Sequence, residues 1–412
     1  MNVFDFASGD FVSHLELLAN YWQPPANSLL NAIILVALSI GNAAAWVAYV
    51  NFIHAFPISC RTLHFQRYLH DAMILGVPAA LVVMFGLTGP RLLRGGTWHD
   101  LSVWHWLFVV FCCLGLLHLA YKSVRFHLRP AVPISKTIHS TILNFGPEIS
   151  GPKFGPGKYQ FLAKLPFNQQ FEVDFNKKEF VLETLPSELD GMTILHISDW
   201  HFLGTITKEF FVKVSQKAAQ WPVDLVCFTG DLIDNDQLLH WIPETLGLLS
   251  GRMGKYFILG NHDWYQKPPE IRNELTRLGW VDLSSRCVEL ECSGKLLQIG
   301  GDETPWLGTH PEFSTAADFR ILMSHTPDHF QFAQDQGVDL MLSGHTHGGQ
   351  IQLPIIGPVY SPSRFDTLYA SGVFWQSPTL MHVTRGLAGR YPVRYNCPPE
   401  VTHITLRSAS SL

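Results

Sequence analysis

Residues 192–201 read MTILHISDWH, an apolar run fit for a buried strand that stops at Asp199 and His201, two positions apart. The same grammar recurs downstream in DLVCFTGDLID (224–234), KYFILGNHDW (255–264), FRILMSHTPD (319–328) and DLMLSGHTHGG (339–349). Each run is short and rich in β-branched, aromatic or other apolar residues, the pattern of a buried strand that feeds a loop. Together they deliver Asp199, His201, Asp231, Asn261, His262, His325, His345 and His347 to strand ends. Oxygen and imidazole donors with almost no sulfur point to a two-metal site that activates water for attack on phosphorus.

If strand geometry persists through the first motif, Asp199 and His201 leave the same face and one cation takes both. Gly230 permits a sharp turn and a close approach just before Asp231. A carboxylate has two oxygens and can bridge two cations, and Asp231 is the expected bridge. Asn261 offers a neutral carbonyl oxygen, and His325, His345 and His347 add imidazoles. Two divalent cations outweigh the charge of Asp199, Asp231 and a bridging hydroxide, so the site is left positive and attracts a phosphate ester. Cations about 3.5–4 Å apart can also bring the pKa of bound water toward about 7, which supplies a nucleophile without a separate base.

His262 is not needed to complete either ligand set. It is the candidate for stabilising developing charge and protonating the leaving oxygen. Asp234 or Asp263 is placed to orient it or a ligand from behind, the alternative being a cap or turn residue. Arg364, Arg385 and Arg390 follow the last motif, as phosphate donors or as solvated loop residues. Trp264, Tyr265 and Trp306 read either as pocket lining or as core. His240, His310, His329 and His403 fit no strand-end pattern and read as surface or packing residues. Mn, Fe, Zn and Co all accept this mixture of N and O donors, so the two divalent ions are not told apart.

Helix-like stretches separate the motif strands: TKEFFVKVSQKAAQ (207–220), QLLHWIPETLGLLS (237–250) and PEIRNELTRLG (269–279). Strand-like YQFLAKL (159–165) and EFVLETL (179–185) precede the first motif, and VTHITL (401–406) follows the last. Strands alternating with helices predict a layered α/β domain with its sheet between helices. Residues 130–165 are rich in Pro and Gly, which favours loops. The expected organisation is a membrane region over 1–128, a linker with leading strands over 129–190, and a catalytic domain over 191–407.

The N-terminal third is different in kind. Residues 29–50 form an uncharged apolar stretch that matches the ~20 residues needed to cross a hydrocarbon core. Residues 72–88 and 104–121 are shorter apolar runs near the lower limit. Three spans are expected. Residues 4–22 read either as an interfacial segment or as a short soluble helix. The first Lys or Arg is Arg61, so the first span lacks the basic flank of a cleaved signal peptide. Arg61 and Arg67 follow span one, Arg91 and Arg94 span two, and Lys122, Arg125, Arg129 and Lys136 span three. An N-out topology keeps the first and last groups inside and places only Arg91 and Arg94 outside, which makes the catalytic domain cytoplasmic.

The formal charge of -5 and a pI near 6.5 carry no basic excess, so no nucleic-acid partner is expected. The seven cysteines include no C-x-x-C pair, which excludes a zinc ribbon and leaves them as packing residues.

With these residues in place, the region from about 192 to 406 resembles the calcineurin-like metallophosphoesterase superfamily. HISDWH, GDLID, GNHDWY, SHTPD and GHTHGGQ match its five blocks in order, most closely those of its bacterial membrane-associated branch. The resemblance implies a four-layer αββα sandwich. It places one metal on Asp199, His201, Asp231 and His347, the other on Asp231, Asn261, His325 and His345, and makes His262 the catalytic histidine. Trp200 stands where that branch usually has a small aliphatic residue. Asn235 and Leu259 stand where the protein-phosphatase branch has arginines, which disfavours phosphoproteins.

The expected function is therefore a membrane-anchored, dinuclear-metal-dependent phosphoesterase that acts on a phosphate ester or diphosphate by metal-activated hydroxide. Its expected partners are the bilayer and a phosphorylated small molecule or lipid. Some similar proteins cleave the diphosphate of UDP-diacylglucosamine, and a bacterial inner membrane would suit that substrate. The alternative is a non-catalytic membrane scaffold or sensor that keeps the metal-binding fold.

Overall fold

A computed structural model describes residues 27–411. The described residues fall into two compact units, residues 27–47 with Arg61–Tyr121, and Ala48–Cys60 with residues 122–411.

Among the described residues, three helices are long and apolar enough to cross a bilayer: α1 (Ser28–Ile53), α2 (Arg61–Leu87) and α3 (Val103–His127), with mean hydropathies of 2.0, 1.7 and 2.0. The chain is thereby a multi-pass membrane protein. All three helices are longer than the uncharged runs that predict them, because helical geometry continues into polar flanks carrying Arg61, Arg67, Lys122 and Arg125. Long basic side chains tolerate such positions by reaching toward the interface. Within the first unit, Leu35 and Leu38 of α1, Leu81 and Phe85 of α2, and Val109 and Cys112 of α3 share one core. Gly41 and Gly115 let α1 and α3 approach backbone to backbone, since a Cβ on either would run into a carbonyl of the other helix. Leu29, Ile33, Trp104, Leu114 and Leu117 point outward, an apolar surface that acyl chains would cover. Residues 4–22 lie outside the described residues.

The second unit is a sandwich of two mixed sheets. Its strands are β1 (Ser135–Asn144), β2 (Glu172–Leu182), β3 (Thr193–Ile197), β4 (Leu225–Phe228), β5 (Gly254–Phe257), β6 (Val281–Asp282), β7 (Cys287–Cys292), β8 (Lys295–Asp302), β9 (Phe319–Ser324), β10 (Leu340–Ser343), β11 (Gln352–Leu353), β12 (Gly357–Pro358), β13 (Gly372–Gln376), β14 (Thr379–Val383) and β15 (Glu400–Ser408). One sheet runs β1-β2-β15-β3-β4-β5-β6 and the other β13-β14-β10-β9-β8-β7, while β11 and β12 form a separate hairpin.

Three apolar layers hold the sandwich. Ile194, Leu225 and Tyr256 of the first sheet meet Ile299, Ile321 and Leu342 of the second between the sheets. Leu195, Val226 and Phe257, one residue along, face Phe211 and Val214 of α4 (Lys208–Ala218) and Leu275 of α5 (Pro268–Arg277). Leu322 and Met341 face Phe330 and Ala333 of α6 (Phe330–Asp335). The strands are buried on both faces, as parallel strands covered by helices require, and the order of layers is α, β, β, α.

Register decides where the site forms. Ile197, Phe228 and Phe257 are cross-strand neighbours at the ends of β3, β4 and β5. Asp302, Ser324 and Ser343 are neighbours at the ends of β8, β9 and β10. All five ligand-bearing loops therefore leave aligned strand ends.

Three local expectations need correction. Residues 159–165 form no strand; Gln160–Ala163 is a single helical turn entered from Tyr159 at φ 64°. Its apolar residues do not alternate, and Pro166 ends the run. Residues 237–250 hold only the short tight turns Asp236–Trp241 and Leu246–Leu248, because Pro243 and Gly247 interrupt an α-helix. Within the Pro/Gly-rich stretch, Ser135–Asn144 is a long strand paired with β2, so the sandwich starts earlier than its composition suggests.

Candidate metal centre

Each ligand leaves its strand within a few residues, and the backbone bends sharply to present it. Asp199, His201, Asp231, His345 and His347 all have positive φ, between 47° and 70°. Strand geometry thus does not persist from Asp199 to His201, and their common direction comes from consecutive tight turns rather than from strand alternation. Left-handed backbone at a non-glycine residue costs on the order of 1–3 kcal/mol, a strain that collects at functional sites. Gly230 turns at φ 97°, and a Cβ there would press on the Gly260 amide and on His325 Nδ1. Gly260 has no room either, since a Cβ would run into Asp231 Oδ1 and the His325 ring.

The side chains converge in two groups: Asp199, His201, Asp231 and His347 in one, and Asp231, His325 and His345 in the other, all buried. In the first, His201 Nε2 lies 3.8 Å from Asp199 Oδ1 and 3.5 Å from Asp231 Oδ2, and His347 Nε2 lies 3.7 Å from Asp199 Oδ1. In the second, His325 Nε2 lies 3.3 Å from Asp231 Oδ2, 3.1 Å from Asn261 Oδ1 and 3.1 Å from His345 Nδ1. Donors about 2.0–2.1 Å from a common ion at near-tetrahedral or octahedral angles lie about 3–3.4 Å apart. The spacing here is of that order.

Unpartnered atoms test whether cations fit. His201 Nε2 and Asp231 Oδ2 are fully buried and have no hydrogen-bond partner. Such atoms cost free energy unless something completes them, and both face the space between the ligands. Asp231 Oδ1 accepts the His262 amide at 2.8 Å, so a single oxygen, Oδ2, faces both groups. The His/Asp arrangement is that of a binuclear metal centre.

A surrounding set of hydrogen bonds orients the ligands. His325 Nδ1 donates to the Thr229 carbonyl at 2.7 Å, which leaves Nε2 as the electron-pair donor. Asp199 accepts the His345 amide at 3.1 Å on both oxygens. Asp234 accepts His201 Nδ1 at 3.0 Å on one oxygen and His262 Nδ1 at 2.5 Å on the other. Asp263 instead accepts the backbone amides of Asp231, Leu232, Ile233 and Gly260, and so fixes the turns. Of the two aspartates left open by sequence, Asp234 orients imidazoles and Asp263 holds backbone.

The electrostatics follow from burial and charge. Burial, the largest influence on His201, would push its imidazole down, yet Asp234, Asp199 and Asp231 outweigh it and hold it up at about 10. His325 is likewise held up at about 9, with Asp231 the main opponent of burial. Burial pushes His347 down to about 3, and it drives His345 well below the ordinary range with help from His325. Burial raises Asp199, Asp231 and Asp234, but neighbouring imidazoles overcome it and keep all three well below the usual carboxylate range. Asp263 is pushed up to about 6 by burial and by the charge of Asp231. Without cations, protons on His201 and His325 balance the carboxylates.

The remaining candidates separate clearly. Arg385 is bound in ion pairs with Asp174 at 2.5 Å and Glu400 at 3.0 Å, so it is a structural residue, not a phosphate donor. Arg364 is exposed and lies 5.0 Å from the Phe56 ring. Burial pushes the Arg390 guanidinium down, but the charge of Asp234, with Tyr391 and Tyr159, outweighs it and raises it above the ordinary arginine value. Trp306 covers the second group, 4.9 Å from the His345 ring and 5.7 Å from that of His325. Trp264 packs on Tyr265, whose hydroxyl donates to the Ile58 carbonyl at 2.7 Å. Trp200 turns away from its ligand neighbours and stacks on Phe211, so it leaves the site undisturbed.

Sequence reading missed two features. Arg394 is fully buried and donates to the carbonyls of His347, at 2.9 Å, and Ala388. It lies in no strand-end motif, so nothing local marks it. His310 and His329, set aside as surface or packing residues, both direct Nδ1 at Asp302 Oδ2, at 2.9 Å each. Asp302 ends β8, so it was a sixth strand ending, and it ties down the loop that carries Trp306. His240 bonds locally to Gln237, and His403 packs on Trp221, as expected.

Comparison with known proteins agrees with this geometry. The calcineurin-like phosphoesterase family model matches residues 192–349. The uncharacterized metallophosphoesterase YkuE of Bacillus subtilis is 34% identical over 238 residues, covering 55% of this chain and 82% of that protein. The phosphodiesterase YaeI of Escherichia coli is 29% identical over 225 residues, 52% of this chain and 81% of the relative. The UDP-2,3-diacylglucosamine pyrophosphatase LpxG of Chlamydia muridarum is 26% identical over 277 residues, 52% of this chain and 83% of the relative.

Proposed function

This chain belongs to the calcineurin-like phosphoesterases, and on that premise we propose that it hydrolyses a phosphate ester or diphosphate with two divalent cations. Asp199, His201, Asp231 and His347 would hold one, and Asp231, Asn261, His325 and His345 the other. The observation that carries this reading is Asp231 Oδ2, buried, without a partner and within 3.5 Å of an imidazole from each group. Bound cations at such a centre lower the pKa of coordinated water toward about 7 and neutralise phosphate charge.

The chain's own residues do the rest. His262, with Nδ1 bound to Asp234, keeps Nε2 to give a proton to the leaving oxygen. Asp234 fixes both the tautomer and the ring plane of His262 and His201. Arg390 adds positive charge on the Asp234 side of the site. Trp306 covers the His345 ring and keeps bulk water from that side.

The substrate class follows from address and kinship. Three span-length helices favour an amphiphilic substrate, and the similarity to LpxG supports a UDP-diacylglucosamine-type diphosphate as the first to test. A place in the membrane-associated bacterial branch, in the inner membrane with the catalytic domain cytoplasmic, belongs to the same reading. Detergent-solubilised protein should be screened against nucleotide, sugar and lipid diphosphates and a chromogenic phosphodiester, with Mn, Fe, Zn or Co added. Turnover should appear in the unsubstituted chain and vanish in Asp231→Asn and His262→Asn. Equal activity in all three would overturn the proposal, and two bound metals without any turnover would favour a scaffold.

A further inference from the structure

The segment that leaves the last metal motif carries an exposed apolar tip that the sandwich does not use. After Gln350 the chain forms the hairpin β11–β12, in which Leu353 is 42% and Ile355 81% exposed. Ile355 also takes φ 70°, a conformation rarely tolerated by a β-branched residue. Something must hold it there. The Ile355 carbonyl accepts Ser123 Oγ at 2.6 Å and His127 Nε2 at 2.6 Å, both from the last two turns of α3. These two hydrogen bonds tie the tip to the end of a span-length helix while the Ile355 side chain stays outside.

Other contacts extend this rim. Asn51, in the last turn of α1, donates to the Val359 carbonyl at 3.2 Å and to Asp366 Oδ1 at 2.5 Å, and accepts the Ser361 amide at 3.0 Å. Tyr265, three residues after His262, donates to Ile58 in the connection that follows α1. Loops on both sides of the metal centre are thus bonded to segments that leave the spans. Gln352 donates to the Tyr395 carbonyl, and the Tyr395 hydroxyl donates to Pro166, beside Phe167, which is 89% exposed.

We propose that Leu353, Ile355 and Phe167 form a bilayer-contacting rim that sits at the headgroup–acyl boundary. The metal centre would then take its phosphoester from a lipid of the same leaflet rather than from solution. Exposed apolar side chains held beside the ends of membrane helices gain free energy when they enter the acyl boundary. The substrate half of this inference rests on the phosphoesterase reading above; the membrane contact does not.

The full chain in phosphatidylethanolamine/phosphatidylglycerol nanodiscs provides the test. A fluorophore placed by Ile355→Cys or Phe167→Cys should be quenched by doxyl-labelled lipid at least threefold more strongly than one placed by Leu248→Cys. Quenching equal to that at Leu248 would overturn the rim, whether or not the protein is active. The triple variant Phe167→Ser/Leu353→Ser/Ile355→Ser should lose at least tenfold in hydrolysis of a vesicle-borne lipid phosphate. Its hydrolysis of soluble bis(p-nitrophenyl) phosphate should stay within twofold. Equal loss on both substrates, or on neither, would overturn lateral substrate capture. An unsubstituted chain inert on both would overturn the phosphoesterase reading instead.

Discussion

Asp234 bonds His262 through Oδ1 at 2.5 Å, and its other oxygen bonds His201 at 3.0 Å, so one carboxylate sets a proposed acid and a proposed ligand together. Asp234→Asn keeps the shape but loses the charge and one acceptor. Its kcat should fall by about 10–100-fold, the usual effect of losing such a supporting carboxylate. Steady-state kinetics decide this, and unchanged kcat would remove Asp234 from the machinery.

His262 and Asp231 should fail in different ways. His262→Ala should lower kcat by about 10²–10⁴-fold, the range for a general acid, with both cations retained. Asp231→Asn should carry at most one cation per chain, because the shared oxygen's charge is gone. Metal analysis by plasma mass spectrometry beside kinetics separates the two. Loss of metal from His262→Ala would make it a ligand.

Cation uptake should release protons. His201 and His325 are held up at about 10 and about 9 in the metal-free chain, so both are protonated at neutral pH and must give up a proton to coordinate. His201 and His325 belong to different ligand groups, so each cation displaces one proton and its apparent affinity should rise about tenfold per pH unit between pH 7 and 8.5. Calorimetry in buffers of different ionisation enthalpy measures the proton count. A count of zero would contradict the electrostatics described above.

The same groups set the pH profile of metal-free stability. Raised histidines contribute stability that is complete below the ordinary value of 6.5 and is lost as pH rises through about 9 to 10. The depressed carboxylates Asp199, Asp231 and Asp234 contribute above 3.8 and lose that contribution only in acid. Chelator-treated protein should therefore lose Tm between pH 8 and 10.5 while metal-loaded protein holds it. Parallel thermal denaturation curves would refute this.

Arg390 and Arg385 should part company. Arg390→Ala should lower kcat/KM by roughly 10–100-fold, equivalent to a charge-assisted hydrogen bond of about 1.5–3 kcal/mol, with Tm nearly unchanged. Arg385→Ala strands Asp174 and Glu400, and breaking such a largely buried pair costs about 3–5 kcal/mol, so it should lower Tm first. Kinetics and calorimetry on both variants check the assignment.

Much of this protein was legible in one dimension. A buried strand and the ligand at its end are neighbours in sequence, so the five motif strands, their eight polar side chains, the helices 208–218 and 268–277 and three spans could all be read locally. Pro and Gly marked loops less faithfully: they hid β1, while Pro243 and Gly247 broke a helix that the apolar pattern suggested.

What remained depended on distance in sequence. That Asp231 turns one oxygen to both ligand groups follows from the His262 amide, 31 residues away, taking the other. Asp234 outranks Asp263 because strand register brings it beside two imidazoles from different loops. Arg385 is spent on Asp174 across 211 residues, and Arg394 supports the His347 carbonyl across 47. Sequence alone determined which chemistry is present, because donor type and strand-end position are local properties. Tertiary structure alone decided which atom meets which, because burial leaves each polar group only the partners that packing brings within hydrogen-bond reach.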